Sequence, residues 1–318
     1  MSVVDSICIA IGGNSLIRAG QKGTVPEQFA NARLAATGIA ELAARGCHLV
    51  VTHGNGPQVG AQLLRSESGS TQTYSLPLDM CDAMTQGEIG YILQNSLQSV
   101  LRERGVNLPV ATIVTQIVVD KHDPAFQHPT KPIGPFYSKE VADKKGKELG
   151  WSIVEDAARG YRRVVASPKP RNIVELPVIK SCMENGVLVI ACGGGGIPVC
   201  SEDGEIYGVE AVIDKDRASA LLASLLKLKR FVISTEVEQV YINYKKPNQQ
   251  AIHRMTVTQA KQWSAEGHFA EGSMKPKIEA AVEFIEAGGI DAIITNPEQL
   301  IAAVDGKAGT HIVPENAL

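Results

Sequence analysis

Three apolar, β-branched runs in this chain end the same way, each passing straight into glycine. Residues 7–11 lead into Gly12-Gly13-Asn14-Ser15, and residues 49–52 into His53-Gly54-Asn55-Gly56-Pro57-Gln58. Residues 187–191 lead into Cys192-Gly193-Gly194-Gly195-Gly196-Ile197-Pro198. Runs this short and apolar read as strands buried on both faces. In parallel sheets, ligands bind at the carboxyl ends of the strands. Glycine at such an end lets backbone N–H groups approach an anion with no Cβ in the way, and a following helix N-terminus adds positive potential. One such loop is also what a plain tight turn looks like. Three on one edge of one sheet point to a bound anion, because a run of four glycines costs roughly 0.5–1 kcal/mol each relative to alanine in regular backbone. No loop reads GxxxxGK[ST] and the first lacks GxGxxG, so neither a P-loop nor a dinucleotide fold is indicated.

Further strands are expected over residues 110–119, 231–234 and 290–295, alternating with helical stretches over 28–45, 87–104, 216–227 and 275–287. In the last of these, Ile278, Ala281, Val282 and Ile285 follow the spacing of one buried helix face, and Gly288-Gly289 supply the stop. The alternation predicts an α/β fold with a mostly parallel sheet covered by helices on both sides. The 318 residues fit one large domain or two small ones, and we expect a single domain over 1–318. Residues 120–171, rich in Pro, Lys, Arg and aromatics, stand apart as a small protruding lobe. Two strands are expected there over 151–155 and 162–166, joined by a turn through Ala158-Arg159-Gly160.

A net charge of −3 argues against a nucleic-acid binder and favours a small-molecule partner. No apolar run approaches the roughly 20 residues of a membrane span, and the start does not read as a secretory signal. The six scattered cysteines form no CxxC pair and fit buried thiols in a reducing cytoplasm.

Two helices begin with cations, where the macrodipole opposes them by up to about 1 kcal/mol. Lys215 sits in Asp214-Lys215-Asp216-Arg217, and Lys277 in Gly272-Ser273-Met274-Lys275-Pro276-Lys277. An anion shared with the free N–H groups explains both. Local pairing of Lys215 with Asp214 and Asp216, or a solvated Lys277, explains them too. Lys131 lies between stiffening prolines in Pro129-Thr130-Lys131-Pro132-Ile133-Gly134-Pro135, which fixes its direction without showing its target. His53 reads as a packing or hydrogen-bonding residue.

Taken in order, these segments resemble one family. Gly12-Gly13-Asn14, His53-Gly54-Asn55-Gly56-Pro57-Gln58, Pro129-Thr130-Lys131-Pro132-Ile133-Gly134, Cys192-Gly193-Gly194-Gly195-Gly196, Glu210-Ala211-Val212-Ile213-Asp214-Lys215-Asp216 and Gly272-Ser273-Met274 with Pro276-Lys277 look like motifs of the carbamate kinases, in the amino-acid kinase superfamily. The resemblance runs from Gly12 to Thr310. It implies a three-layer α/β/α sandwich on an eight-stranded, mostly parallel open sheet, with a protruding lobe. It also implies a homodimer that transfers a phosphoryl group between ATP and carbamate, or from carbamoyl phosphate to ADP. By the same carry-over, Gly12, Gly13, Asn14, Gly54, Asn55, Gly194 and Gly195 would line the substrate side, and Lys131 would reach the transferred group. Lys215 and Lys277 would hold the phosphates, with Asp216 orienting them. Thr235, Glu238, Tyr244 and Met274 would border the nucleotide, and Mg2+ would ride on its phosphates with little protein ligation.

The chain departs from the family pattern at Ser15, Ala166, Glu236, Glu238 and Lys245. These departures bear on the acceptor and on nucleotide binding. Two other readings therefore stand beside the first: a kinase of this fold for another small carboxylate or phosphonate, and a non-catalytic ligand-binding relative. A binding-only descendant is free to lose any of the three lysines, and all three are present. Phosphoryl transfer needs positioning and cationic donors above all, and carbamate, already an anion, needs no general base.

Overall fold

The computed structural model describes residues 5–18, 20–155 and 160–317. Its centre is an eight-stranded sheet, numbered here in chain order along the sequence. From one edge to the other it runs β15 (Arg254–Thr256), β17 (Thr310–Val313), β16 (Asp291–Thr295), β12 (Arg230–Ser234), β1 (Ser6–Ile11), β2 (His48–His53), β9 (Leu188–Ile190) and β3 (Val110–Thr112). Every neighbouring pair is parallel except β16 with β17.

The alternation of a strand explains the layers. On β1, Ile7, Ile9 and Ile11 enter one buried cluster, with residues of helices α2 (Val25–Ala44) and α4 (Leu78–Glu103). Cys8 and Ala10 enter the other, with residues of α7 (Lys215–Leu225), α8 (Val257–Ala265) and α9 (Met274–Glu286). Both faces of the sheet are thus covered, as near-continuous apolar strands require. The fold is a three-layer α/β/α sandwich.

Two boundaries differ from expectation. The single strand expected over 110–119 is two strands in two sheets. β3 closes the main sheet, whereas β4 (Gln116–Val119) belongs to a four-stranded sheet with β8 (Pro170–Ile173), β10 (Ile197–Glu202) and β11 (Glu205–Gly208). The break falls at Thr115, whose peptide is claimed by a side chain. Its N–H donates to Gln86 Oε1 at 2.7 Å, and its carbonyl accepts from Gln86 Nε2 at 3.0 Å. A glutamine amide satisfies the backbone as a ladder partner would, so the chain changes sheets without stranding a buried polar group. Helix α4 also begins at Leu78, well before the expected 87, and runs through Gly87, where an added Cβ would meet open space.

Residues 131–165 build a separate three-stranded antiparallel sheet of β5 (Lys131–Tyr137), β7 (Tyr161–Val165) and β6 (Ile153–Glu155), with α5 (Lys139–Leu149). The turn expected through Ala158 and Arg159 lies outside the described residues. This sheet leans on helix α3 (Gly56–Gly69) through Lys145 and Glu67, 2.9 Å apart. A hairpin of β13 (Val240–Ile242) and β14 (Gln250–Ile252) and the helices α1 (Gly13–Leu16), α6 (Leu176–Glu184) and α10 (Leu300–Val304) complete the molecule.

Candidate active site

Strand register brings the glycine loops together. Ile11, the last residue of β1, is level with His53 on β2 and with Ser234 on β12. The residues that follow, Gly12, Gly54 and Thr235, therefore emerge side by side at the carboxyl edge. Gly12 N–H donates to Ser234 O at 3.1 Å and Gly54 N–H to Ile11 O at 3.0 Å. A cleft of about 780 Å3 opens above them, lined by Gly12, Gly13, Gly54, Asn55, Gly194 and Thr235 among others. Side chains are excluded at the crossing of the first two loops, since a Cβ on Gly54 would lie 2.9 Å from Gly13 N. Helices α1 and α3 start here at Gly13 and Gly56, with no side chain capping their first amides.

The cleft also carries cations, and the side chain of Lys215 passes close to Gly54. Lys131 from β5, Lys215 from the first turn of α7 and Lys277 from the first turn of α9 all line the same cleft. Two aspartates arrange them. Asp216, 2% exposed, is bonded by Lys215 at Oδ1 and by Lys277 at Oδ2, the latter at 2.8 Å. Asp214 caps α7 through Oδ1, accepting from Asp216 N–H at 2.9 Å, while Oδ2 accepts from Lys131 Nζ at 3.0 Å.

Burial and charge compete within this group. Burial alone would push the Asp216 carboxyl up, but Lys215 and Lys277 hold it far below the ordinary range. Burial likewise works against Asp214, and Lys131 more than offsets it. Burial pulls the Lys215 ammonium down, and Lys277 beside it adds to that. Lys277 goes the other way: burial is outweighed by Asp216, with Asp214 and Glu236 adding to the attraction. Lys131, Arg162, Lys215 and Lys277 line the cleft against Asp214, Asp216 and Glu236, a surplus of one positive charge. Such a surplus in a partly desolvated site is stabilised by an incoming anion.

Several expected site residues sit elsewhere. Gly195 lies behind the rim, with Ile213 O only 2.1 Å from where a Cβ would be, so its glycine serves close packing. Gly194 and Gly195 also take φ of 69° and 97°, which favour glycine. Glu238 and Tyr244 are exposed and Met274 packs against the core, all three outside the cleft. The side chain of Asn14 lies outside the described structure. Asn55 reaches the cleft, but its amide Nδ2 is directed at Asp82 Oδ1 and Thr85 Oγ1, both at 2.9 Å. His53 is fully buried, and burial brings its imidazole down to about 4, so it is neutral. Its ring fills the space that a side chain at Gly193 would occupy.

Sequence reasoning missed Asp214 as the partner of Lys131, having given it to Lys215. Its place as helix N-cap, with a carboxyl oxygen to spare, was the available signal. Asp82 and Arg162, which lines the cleft, were missed as well, and neither carries a local sequence signature.

The sequence model of the Amino acid kinase family matches residues 6–296. A carbamate kinase of Thermococcus kodakarensis is 51% identical over 313 residues, covering 97% of this chain and 99% of that protein. One from Pyrococcus furiosus is 49% identical over 311 residues, with 97% and 99% covered. Among solved structures, the carbamate kinase from Giardia lamblia bound to AMP-PNP superposes with a TM-score of 0.93 at 42% identity, covering 99% of this chain and 100% of that one. The chain belongs to the amino acid kinase family, in its carbamate kinase branch.

Proposed function

We propose that this protein transfers a phosphoryl group reversibly between ATP and carbamate, in the direction assayed most simply from ADP and carbamoyl phosphate to ATP. The observation that carries the reading is the cation cluster: Lys131, Lys215 and Lys277 share one cleft with the amides of Gly12, Gly13 and Gly54. Phosphoryl transfer spreads negative charge over the equatorial oxygens of the migrating group, and fixed ammonium and N–H donors stabilise it. Lys131 is assigned to the transferred group, Lys215 and Lys277 to the phosphate chain, and Asp216 to orienting the last two. The glycine amides are assigned to the acyl phosphate, with the backbone of Asn55 beside them and its side chain bracing the loop from behind.

The same geometry favours an acceptor that arrives as an anion. Asp214 and Asp216 are committed to lysines, His53 is buried and neutral, and Glu236 is assigned to the nucleotide side, so none of these four is assigned to deprotonating a hydroxyl. Carbamate needs no such base. The nucleotide is assigned to the side of Thr235, Glu236, Pro276 and Lys277, with Glu238, Tyr244 and Met274 continuing outward along the base and ribose. The Giardia relative carries AMP-PNP.

Mg2+ is assigned to the nucleotide phosphates. The described residues contain no group of three or more His, Cys, Asp or Glu suited to a metal, and the buried cleft acids are already bonded to lysines. A hard, reluctantly dehydrated cation fits that arrangement, held by phosphate and water. We further propose a homodimer through α4, where Met80, Met84 and Tyr91 are exposed at helical spacing, with Tyr91 against Phe29 of α2. No helix among the described residues is long and apolar enough to cross a membrane, and six free thiols suit a reducing cytoplasm.

The test is ATP formation from ADP, Mg2+ and carbamoyl phosphate, followed by luciferase. ATP is expected with carbamoyl phosphate. Its absence there, with ATP formed from another acyl phosphate, reassigns the acceptor.

A further inference from the structure

We infer that Asp214 is a positioning residue that fixes Lys131 and the start of α7 in one frame. The inference rests on the phosphotransfer reading for its effect on rate, and on geometry alone for its effect on β5.

The chain makes this frame as a closed circuit. Lys131 is level with Val165 on β7. The next residue, Ala166, bridges Ala211 and accepts from Val212 N–H at 3.0 Å. Two residues later the chain reaches Asp214. Backbone pairing therefore delivers Lys131 and Asp214 to the same place from opposite sides, and the 3.0 Å ion pair closes the loop. Asp214 is 17% exposed at its side chain and Lys131 39%, so the carboxylate is the fixed partner and the ammonium the one that faces the cleft.

The second carboxyl oxygen ties this pair to the remaining cations. Oδ1 accepts from the backbone of Asp216, the residue that anchors Lys215 and Lys277. One side chain thus sets the spacing between the lysine of the three-stranded sheet and the two lysines of the main body. Arg163 with Glu210 makes a second charged contact between the same parts, so loss of the first leaves the sheet attached but loosens the strand that carries Lys131. A misplaced donor lowers turnover more than ground-state binding.

Asn at 214 keeps an acceptor for the helix N-terminus and removes the charge, so it separates capping from pairing. The experiment compares Asp214→Asn, Lys131→Met and the double variant by steady-state ATP formation, alongside amide exchange over 131–137. We expect Asp214→Asn to lower kcat about 10-fold with KM for ADP within about 2-fold, and to add less than about 2-fold in the Lys131→Met background. Faster exchange in β5 with an unchanged melting midpoint is also expected. An equal loss of kcat in both backgrounds overturns the proposal, because Asp214 would then act independently of Lys131. Should the wild type form no ATP at all, the phosphotransfer reading falls, and exchange still decides: unchanged protection of β5 in Asp214→Asn overturns the positioning role.

Discussion

Asp82 and Asp216 are both almost fully buried, 1% and 2% exposed, yet their carboxyls are shifted in opposite directions. Asp216 meets two ammonium groups and is held ionised far below the usual carboxylate range. Asp82 meets no cation. Burial pushes its carboxyl well above the usual range, Asn55 opposes only in part, and Asp79 and Glu210 push it further up. Its Oδ2 has no hydrogen-bond partner among the described residues. The partners, not the depth, decide the charge. The site is thus built from two kinds of buried polar matter: an ion-paired group around Asp216, and a hydrogen-bonded brace of Asp82, Thr85 and Asn55, with His53 near it, behind the glycine loops.

The sharpest way to break this division is to neutralise each acid in turn. Asp216→Asn leaves Lys215 and Lys277 without their shared carboxylate, and we expect kcat for ATP formation to fall about 1000-fold or more. Removing one member of a buried ionic group also costs roughly 3–5 kcal/mol of stability, readable in urea titrations at pH 7. A variant that kept its rate would mean that the lysines find their positions without Asp216.

Asp82→Asn should behave differently, because burial already works against a charge on that carboxyl. We expect kcat within about 3-fold of wild type at neutral pH. The pH dependence supplies the sign. A carboxyl raised in the fold from its ordinary 3.8 binds its proton more tightly when folded, so its contribution is complete below 3.8 and is lost as pH rises. Urea midpoints should therefore show wild type losing ground to Asp82→Asn as pH rises above 3.8. A wild-type advantage that grows with pH would mean that Asp82 is ionised in the fold.

The same division explains what could be read from sequence. Strands ending in glycine, and lysines in the first turn of two helices, announce an anion site, because both break a local rule that an anion repairs. The sheet followed from alternation of apolar runs. What stayed hidden depended on distant partners. Nothing near Lys131 points to Asp214, 83 residues away along the chain. The break at Thr115 depended on Gln86, a polar residue on a long helix whose reach no periodicity shows. Gly195 was assigned to the ligand, whereas Ile213 O takes the space its missing Cβ leaves. A glycine is visible in sequence, but what approaches it is not.

His53 gives the finest test of that brace, with little expected effect on turnover. Its ring is buried against Gly193 and Gln86, Nδ1 lies 3.1 Å from Gly54 O, and the charge of Lys215 adds to the burial that lowers it to about 4. A histidine lowered in the fold is neutral there, while the unfolded chain takes up a proton below its ordinary 6.5. Stability is therefore complete above 6.5 and lost as pH falls toward 4, the reverse of the Asp82 slope. Between pH 7 and pH 5 the loss amounts to roughly 2 kcal/mol. His53→Gln, which cannot take the proton, should flatten that part of the stability profile while preserving the neutral-pH rate within a few-fold. If the slope survives the substitution, the acid sensitivity belongs to another group. If turnover collapses at pH 7, the imidazole has a place among the charged residues rather than behind the glycine loops.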